Sequence, residues 1–162
     1  MGKRKSWSEK LNEDKGLPKV VKIEGKMTRR WGEGTVVIPS PREIYEIMKS
    51  VPEGRVTTVN EIRSALAKRH GATICCPITT GIFAWVSAHA SEEEKARGGE
   101  GIPYWRTVKS GGVVNDKYPG GIEAQREMLE MEGHRLAPKV SKGRTVGYVV
   151  LDLSETLHTP AP

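Results

Sequence analysis

Thr58-Val59-Asn60-Glu61-Ile62-Arg63-Ser64-Ala65-Leu66 decides how the middle of this chain is read. Threonine followed three residues later by glutamate is a capping-box pattern, which opens a helix by satisfying its first free N–H groups. Ile62, Ala65 and Leu66 then form an apolar stripe, and Gly71 closes the segment. On the N-terminal side, Ser40-Pro41 is a second helix start, with Ile44, Ile47, Met48 and Val51 recurring at helical spacing. Pro52-Glu53-Gly54 makes the turn between the two. On the C-terminal side, Pro77 precedes a third helix, with Ile78, Ile82, Trp85 and Val86 on one side. Two short helices, a tight connection and a third helix are compatible with a helix-turn-helix arrangement.

Beyond that centre, Ser91 to Gly101 reads as a polar loop, with Glu92-Glu93-Glu94 as a solvated face. Ser110-Gly111-Gly112 is a turn, and Gly120-Gly121 precedes a fourth helix. Ile122, Gln125, Met128 and Leu129 share a face of that helix, and Gly133 serves as its C-terminal cap. Thr145 to Leu153 alternates in the manner of a strand. The division expected is a basic arm over residues 1–35, a domain over 36–153 and a tail over 154–162.

The 162 residues carry 26 basic and 20 acidic side chains, a net charge of +6. Such a balance favours a polyanionic partner, nucleic acid first. Ten basic residues against five acidic ones fall in the first 34, so nearly all of the excess lies there. Lys3, Arg4, Lys5, Arg29 and Arg30 are expected to add nonspecific, salt-sensitive affinity. Trp7 and Trp31 either stack on bases or pack back on the domain. The longest apolar stretches, such as Tyr148-Val149-Val150-Leu151, fall far short of the roughly 20 residues that span a bilayer. No apolar leader follows Met1-Gly2-Lys3-Arg4-Lys5, and the adjacent Cys75 and Cys76 suit a reducing compartment. A cytoplasmic location, nucleoid-associated in a prokaryote, is therefore expected. Cys75, Cys76 and His70 lack a zinc-binding spacing, so neither metal nor cofactor is expected.

From Ser40 to Leu136 the sequence resembles the DNA-binding domain of the O6-alkylguanine-DNA alkyltransferases. Val51-Pro52-Glu53-Gly54-Arg55-Val56-Thr57-Thr58 is similar to the family's turn between its first two helices. Ile102-Pro103-Tyr104-Trp105-Arg106 sits where the family has its Pro-Cys-His-Arg segment. Ser110-Gly111-Gly112, Gly120-Gly121 and Met128-Leu129-Glu130-Met131-Glu132-Gly133-His134-Arg135-Leu136 follow in the family's order. The resemblance implies an α+β, winged-helix-like domain that binds double-stranded DNA, damaged DNA included, and touches no membrane.

The departures bear on chemistry. The family's acceptor cysteine is replaced by Tyr104 and its histidine by Trp105, while Arg106 and Glu132 are kept. A phenol of ordinary pKa about 10 with no adjacent base is a poor acceptor, and indole is no base. The resemblance therefore implies an alkyltransferase-like protein without alkyl transfer, one that recognises alkylated guanine and recruits a repair protein. Pro103, Tyr104, Trp105, Arg106, Val113 and Glu132 are expected to line its lesion pocket. Thr58, Val59, Asn60, Thr79, Thr80, Gly81, Phe83, Lys109 and Ser110 are expected to meet DNA. By this resemblance Thr80 stands at the family's intercalating arginine and Val59 at its phosphate-rotating tyrosine, and the hinge asparagine either corresponds to His89 or is displaced by the loop that follows. Two alternatives stay open: a general nucleic-acid binder with a closed, vestigial pocket, and an active transferase using Cys75 or Cys76.

Overall fold

A computed structural model describes residues 5–13 and 15–162. Lys3 and Arg4, named above as DNA contacts, lie outside the described residues. In chain order the elements are helix α1 (Trp7–Leu11), strand β1 (Lys19–Lys22), helix α2 (Met27–Trp31), strand β2 (Thr35–Ile38) and helix α3 (Pro41–Lys49). Strand β3 (Thr57–Thr58) leads into helix α4 (Val59–His70), and strand β4 (Ile74–Cys75) into helix α5 (Pro77–Ala96). A 3-10 turn at Tyr104–Arg106, strand β5 (Thr107–Val108) and a second turn at Ser110–Gly112 precede helix α6 (Gly121–Met131). Strands β6 (Leu136–Ser141) and β7 (Arg144–Val150) and the short helix α7 (Leu153–Thr156) complete the chain.

The helix starts follow local chemistry. Ser40 and Glu43 form a reciprocal capping box on α3, and the Thr58 hydroxyl accepts the Glu61 N–H at the start of α4. Gly71, left-handed at φ 63°, closes α4. The main core lies between α3, α4 and α5, built on Ile44, Met48, Ile62, Leu66, Ala84 and Ala88. A second core, of Val56, Val108, Val114, Leu129 and Val150, lies beneath β5, α6 and β7. Antiparallel β6 and β7 form a hairpin beside the helices, the wing of a winged-helix domain.

The N-terminal segment is tied to this body. β1 pairs antiparallel with β2, which pairs in parallel with β4. Trp31 packs against Ile23, Val36 and Cys76. Trp7 lies edge-on to Trp85, with ring centres 4.8 Å apart.

Helix α5 differs from its sequence reading in two ways. The loop expected from Ser91 is helix as far as Ala96. Its glutamates are bound to other elements: Glu92 accepts from the Tyr104 hydroxyl, Glu93 from the Trp7 and Ser8 N–H groups, and Glu94 from the Tyr45 hydroxyl. The helix is also rotated from the expected phase. Its buried residues are Thr80, Ala84, Val86, Ser87, Ala88, Ala90 and Ser91; of the expected stripe Val86 is buried, whereas Ile78 and Ile82 are 56% and 45% exposed. Small side chains let α5 pack closely on α3 and α4, and that packing outweighs the pull of the larger residues.

Ser91 fixes the chain that leaves α5. Its hydroxyl accepts the Ile102 N–H at 2.8 Å and donates to the Ile102 carbonyl at 3.1 Å. Gly101, at φ 68°, passes so close that a Cβ there would stand 2.6 Å from that hydroxyl. Ser91→Ala strands the buried Ile102 N–H, and is expected to cost about 2 kcal/mol. Calorimetry should read this as a fall of about 4–8 °C in Tm.

Candidate nucleic-acid interface

The segment at the family's reactive position is packed shut. Tyr104 is 7% exposed, and its hydroxyl donates to Glu92 Oε1 at 2.8 Å. Its ring meets Trp105 and Tyr118 edge-on, with centres 5.5 and 5.6 Å away. Burial pushes its pKa well above the ordinary phenol value, and the Glu92 carboxylate raises it further. A phenolate nucleophile is therefore strongly disfavoured at neutral pH.

Trp105 Nε1 donates to Glu132 Oε2 at 3.0 Å. Arg106 grips the same carboxylate with two nitrogens, Nη2 to Oε2 at 2.7 Å and Nε to Oε1 at 2.9 Å. Its Nη1 donates to the Val51 carbonyl at 2.8 Å. Burial would raise the Glu132 pKa, but the bonds from Arg106 and Trp105 outweigh it and hold the carboxyl below its ordinary value. Gln125 braces the segment from α6, donating to the Trp105 and Thr107 carbonyls and accepting the Asn115 N–H. Tyr104, Trp105, Arg106 and Glu132 thus come together, but their polar atoms are spent on one another and on the fold. Pro103 and Val113 are half-buried beside them, Val113 bridged to Val149 of β7.

An open cleft lies next to α5. It has a volume of about 670 Å³ and is lined by Trp7, Ile78, Gly81, Ile82, Trp85, His89, Lys109, Asn115 and Lys117. None of the six residues expected to form the lesion pocket lines it. Trp7 stacks on His89 with centres 4.5 Å apart, and a His89 ring nitrogen lies 3.0 Å from the Lys117 carbonyl oxygen. Asn60 donates to the Ser110 hydroxyl at 3.0 Å, bringing the start of α4 beside the turn that follows β5.

The expected DNA contacts are placed unevenly. Asn60, Lys109 and Ser110 are exposed, while Val59, Thr79 and Gly81 are partly exposed. Thr58 is a buried helix cap, and Phe83 packs against the core. Thr80 is fully buried, its hydroxyl donating to the Cys76 carbonyl at 2.7 Å. Lys5 is paired with Glu13, and Arg29 and Arg30 are exposed on α2.

The sequence reading did not name the cations of the wing among the DNA contacts. From Gly133 to Leu151 the chain holds Arg135, Lys139, Lys142 and Arg144 and no carboxylate. All four are exposed. The absence of acids over nineteen residues was the available signal.

Cys75 and Cys76 are buried, at 1% and 8% exposure. Burial pushes the Cys75 thiol up, away from thiolate, which disfavours Cys75 as a relocated acceptor. Among the described residues, no group of three metal-ligating side chains converges.

The Arg106–Glu132 pair is a largely buried ion pair, with side chains 14% and 8% exposed. Glu132→Gln leaves the Arg106 guanidinium buried without its counter-charge, and is expected to cost about 3 kcal/mol. Because the folded-state pKa is lowered, the pair's contribution is complete above the ordinary carboxylate range. It is lost as pH falls through the lowered value. Denaturant melts of both proteins at neutral and acid pH should show the gap closing toward acid.

No protein-family model and no curated protein matches the chain. Two solved structures do. One is S. pombe Atl1 in complex with damaged DNA containing O6-carboxymethylguanine, 22% identical, with a TM-score of 0.51, covering 74% of this chain and 94% of that one. The other is S. pombe ATL in complex with DNA, 23% identical, with the same TM-score and the same coverage. The protein has the α+β, winged-helix fold of the alkyltransferase-like proteins.

Proposed function

We propose that the protein is a non-catalytic, double-stranded DNA-binding protein of the alkyltransferase-like type that recognises alkylated guanine and marks it for repair. The observation that carries this reading is the packed Tyr104-Trp105-Arg106 segment, set in a fold shared with proteins solved on DNA. Alkyl transfer needs a thiolate and a base that generates it. Here a phenol bonded to Glu92 and an indole bonded to Glu132 occupy those two places. The surroundings favour DNA. α5 offers a partly apolar face, Lys109 and Lys117 border its cleft, and the wing adds four cations. Phosphate attraction supplies affinity, and contacts made by α5 supply discrimination. A repair protein that reads the complex completes the role.

Fluorescence anisotropy with duplexes carrying O6-methylguanine or guanine at one site, at two salt concentrations, tests this. The expected result is a preference for the lesion of about tenfold or more, equivalent to about 1.4 kcal/mol. Equal affinities would leave the general binder with a closed pocket. Lys139→Ala, Lys142→Ala and Arg144→Ala combined should weaken both duplexes alike and reduce the salt slope by up to about three. Incubation with methylated DNA should add no methyl mass to the protein.

A further inference from the structure

β1 is the outer strand of the sheet β1-β2-β4, and among the described residues no strand pairs with its far side. Ile23 donates its N–H to the Gly34 carbonyl, and the register carries that bonded pattern to Val21 opposite Val36 and Lys19 opposite Ile38. Bonded and non-bonded pairs alternate in an antiparallel ladder, so the backbone N–H and C=O groups of Val20 and Lys22 point away from β2. Along the same edge Val20 is 44% and Val21 39% exposed. Val21 borders a groove of about 240 Å³ beside α2, whose walls include Ile23, Met27, Trp31, Val36 and Ile38. From Lys19 to Gly34 the chain holds five cations, Lys19, Lys22, Lys26, Arg29 and Arg30, against two carboxylates, Glu24 and Glu33. All five cations are exposed, and none has an ion-pair partner among the described residues.

We propose that the free edge of β1 docks an acidic, extended segment of a partner protein, which adds to the sheet as a further strand. Main-chain bonds to Val20 and Lys22 hold such a segment, and the side chains at each position select it. Lys19-Val20-Val21-Lys22 asks for a carboxylate at each end and apolar side chains between, one facing the Val21 groove and one covering Val20. The complement reads Glu-Val-Val-Glu in either strand direction. Lys26, Arg29 and Arg30 add to the positive field that draws an acidic chain in. A second copy of this chain is opposed, because two β1 strands paired antiparallel in full register set Lys19 against Lys22 at both ends. Lysines on an edge strand guard it against like copies, and the same charges admit an acidic one. DNA would meet the cations with phosphate but leave the exposed valines and the backbone edge unused. The site does not require bound DNA, so it stands or falls separately from the DNA-binding reading.

The probe is a fluorescein-labelled peptide with Glu-Val-Val-Glu at its centre, titrated with the full chain and read by anisotropy. It should bind about tenfold or more tightly than peptides centred on Lys-Val-Val-Lys or on the rearranged Val-Glu-Glu-Val. Val20→Pro removes only an outward N–H from an edge strand. It should weaken the acidic peptide about tenfold or more and leave duplex DNA affinity within about twofold of wild type. Lys19→Glu/Lys22→Glu, at two exposed positions, should turn the preference toward Lys-Val-Val-Lys. Of two acidic peptides N-methylated at alternate residues, only the one whose methyl groups face β1 should lose binding. Equal affinity for Glu-Val-Val-Glu and Val-Glu-Glu-Val would reduce the face to charge attraction and overturn the added strand. Absence of peptide binding by the wild type would overturn it whatever the DNA result. Peptide binding without duplex binding would overturn the DNA-binding reading alone. Loss of duplex affinity in Lys19→Glu/Lys22→Glu, with no peptide bound by the wild type, would assign the face to DNA. Sedimentation showing a wild-type dimer that Val20→Pro disperses would assign the edge to self-association and overturn the proposal.

Discussion

Three successive carboxylates near the end of α5 hold three elements that have little else in common. Adjacent helical residues project about 100° apart, so Glu92, Glu93 and Glu94 point to different neighbours. Glu92 takes the Tyr104 hydroxyl, Glu93 the first N–H groups of α1, and Glu94 the Tyr45 hydroxyl of α3. The Glu94 bond and burial push the Tyr45 phenol up to about 12, burial being the larger cause. Through these bonds α5 sets where the segment of Tyr104 lies and where Trp7 meets the cleft. The first four turns of the helix, which line the cleft, are left without acids.

What was legible in the sequence was local. The caps at Ser40 and Thr58, the glycine end at Gly71 and the strand alternation near Tyr148 each rest on a few adjacent residues. The order of motifs from Val51 to Leu136 carried the fold. The phase of α5 was not legible, because its buried face contains Thr80, Ser87 and Ser91. The Thr80 and Ser87 hydroxyls are satisfied by the carbonyls of Cys76 and Phe83, one turn back. A hydrophobicity pattern counts these as surface and the isoleucines as core. The continuation of α5 past Ser91 was hidden too, since its glutamates accept hydrogen bonds from groups distant in sequence. β6 was missed because Pro138 interrupts its strand signal.

The same reasoning explains how the site differs from its resemblance. Glu132 is kept, but the groups around it give it a different task. In a transferase a carboxylate at this place acts through a histidine on a thiol. Here Trp105 and Arg106 saturate it, and it anchors the turn to the Val51 carbonyl through the arginine. In this chain the carboxylate is a structural clamp. The cleft lies instead on the side of α5 that Trp7 borders.

The locking of Tyr104 to Glu92 has a kinetic consequence. A transferase that alkylates itself ends its encounter irreversibly, and each molecule is spent on one lesion. A chain whose corresponding side chain is an inert phenol leaves both partners as they were, so every encounter is reversible. The strength of any message it sends is then set by residence time, which the dissociation rate governs. Selection on such a protein acts on how slowly it lets go.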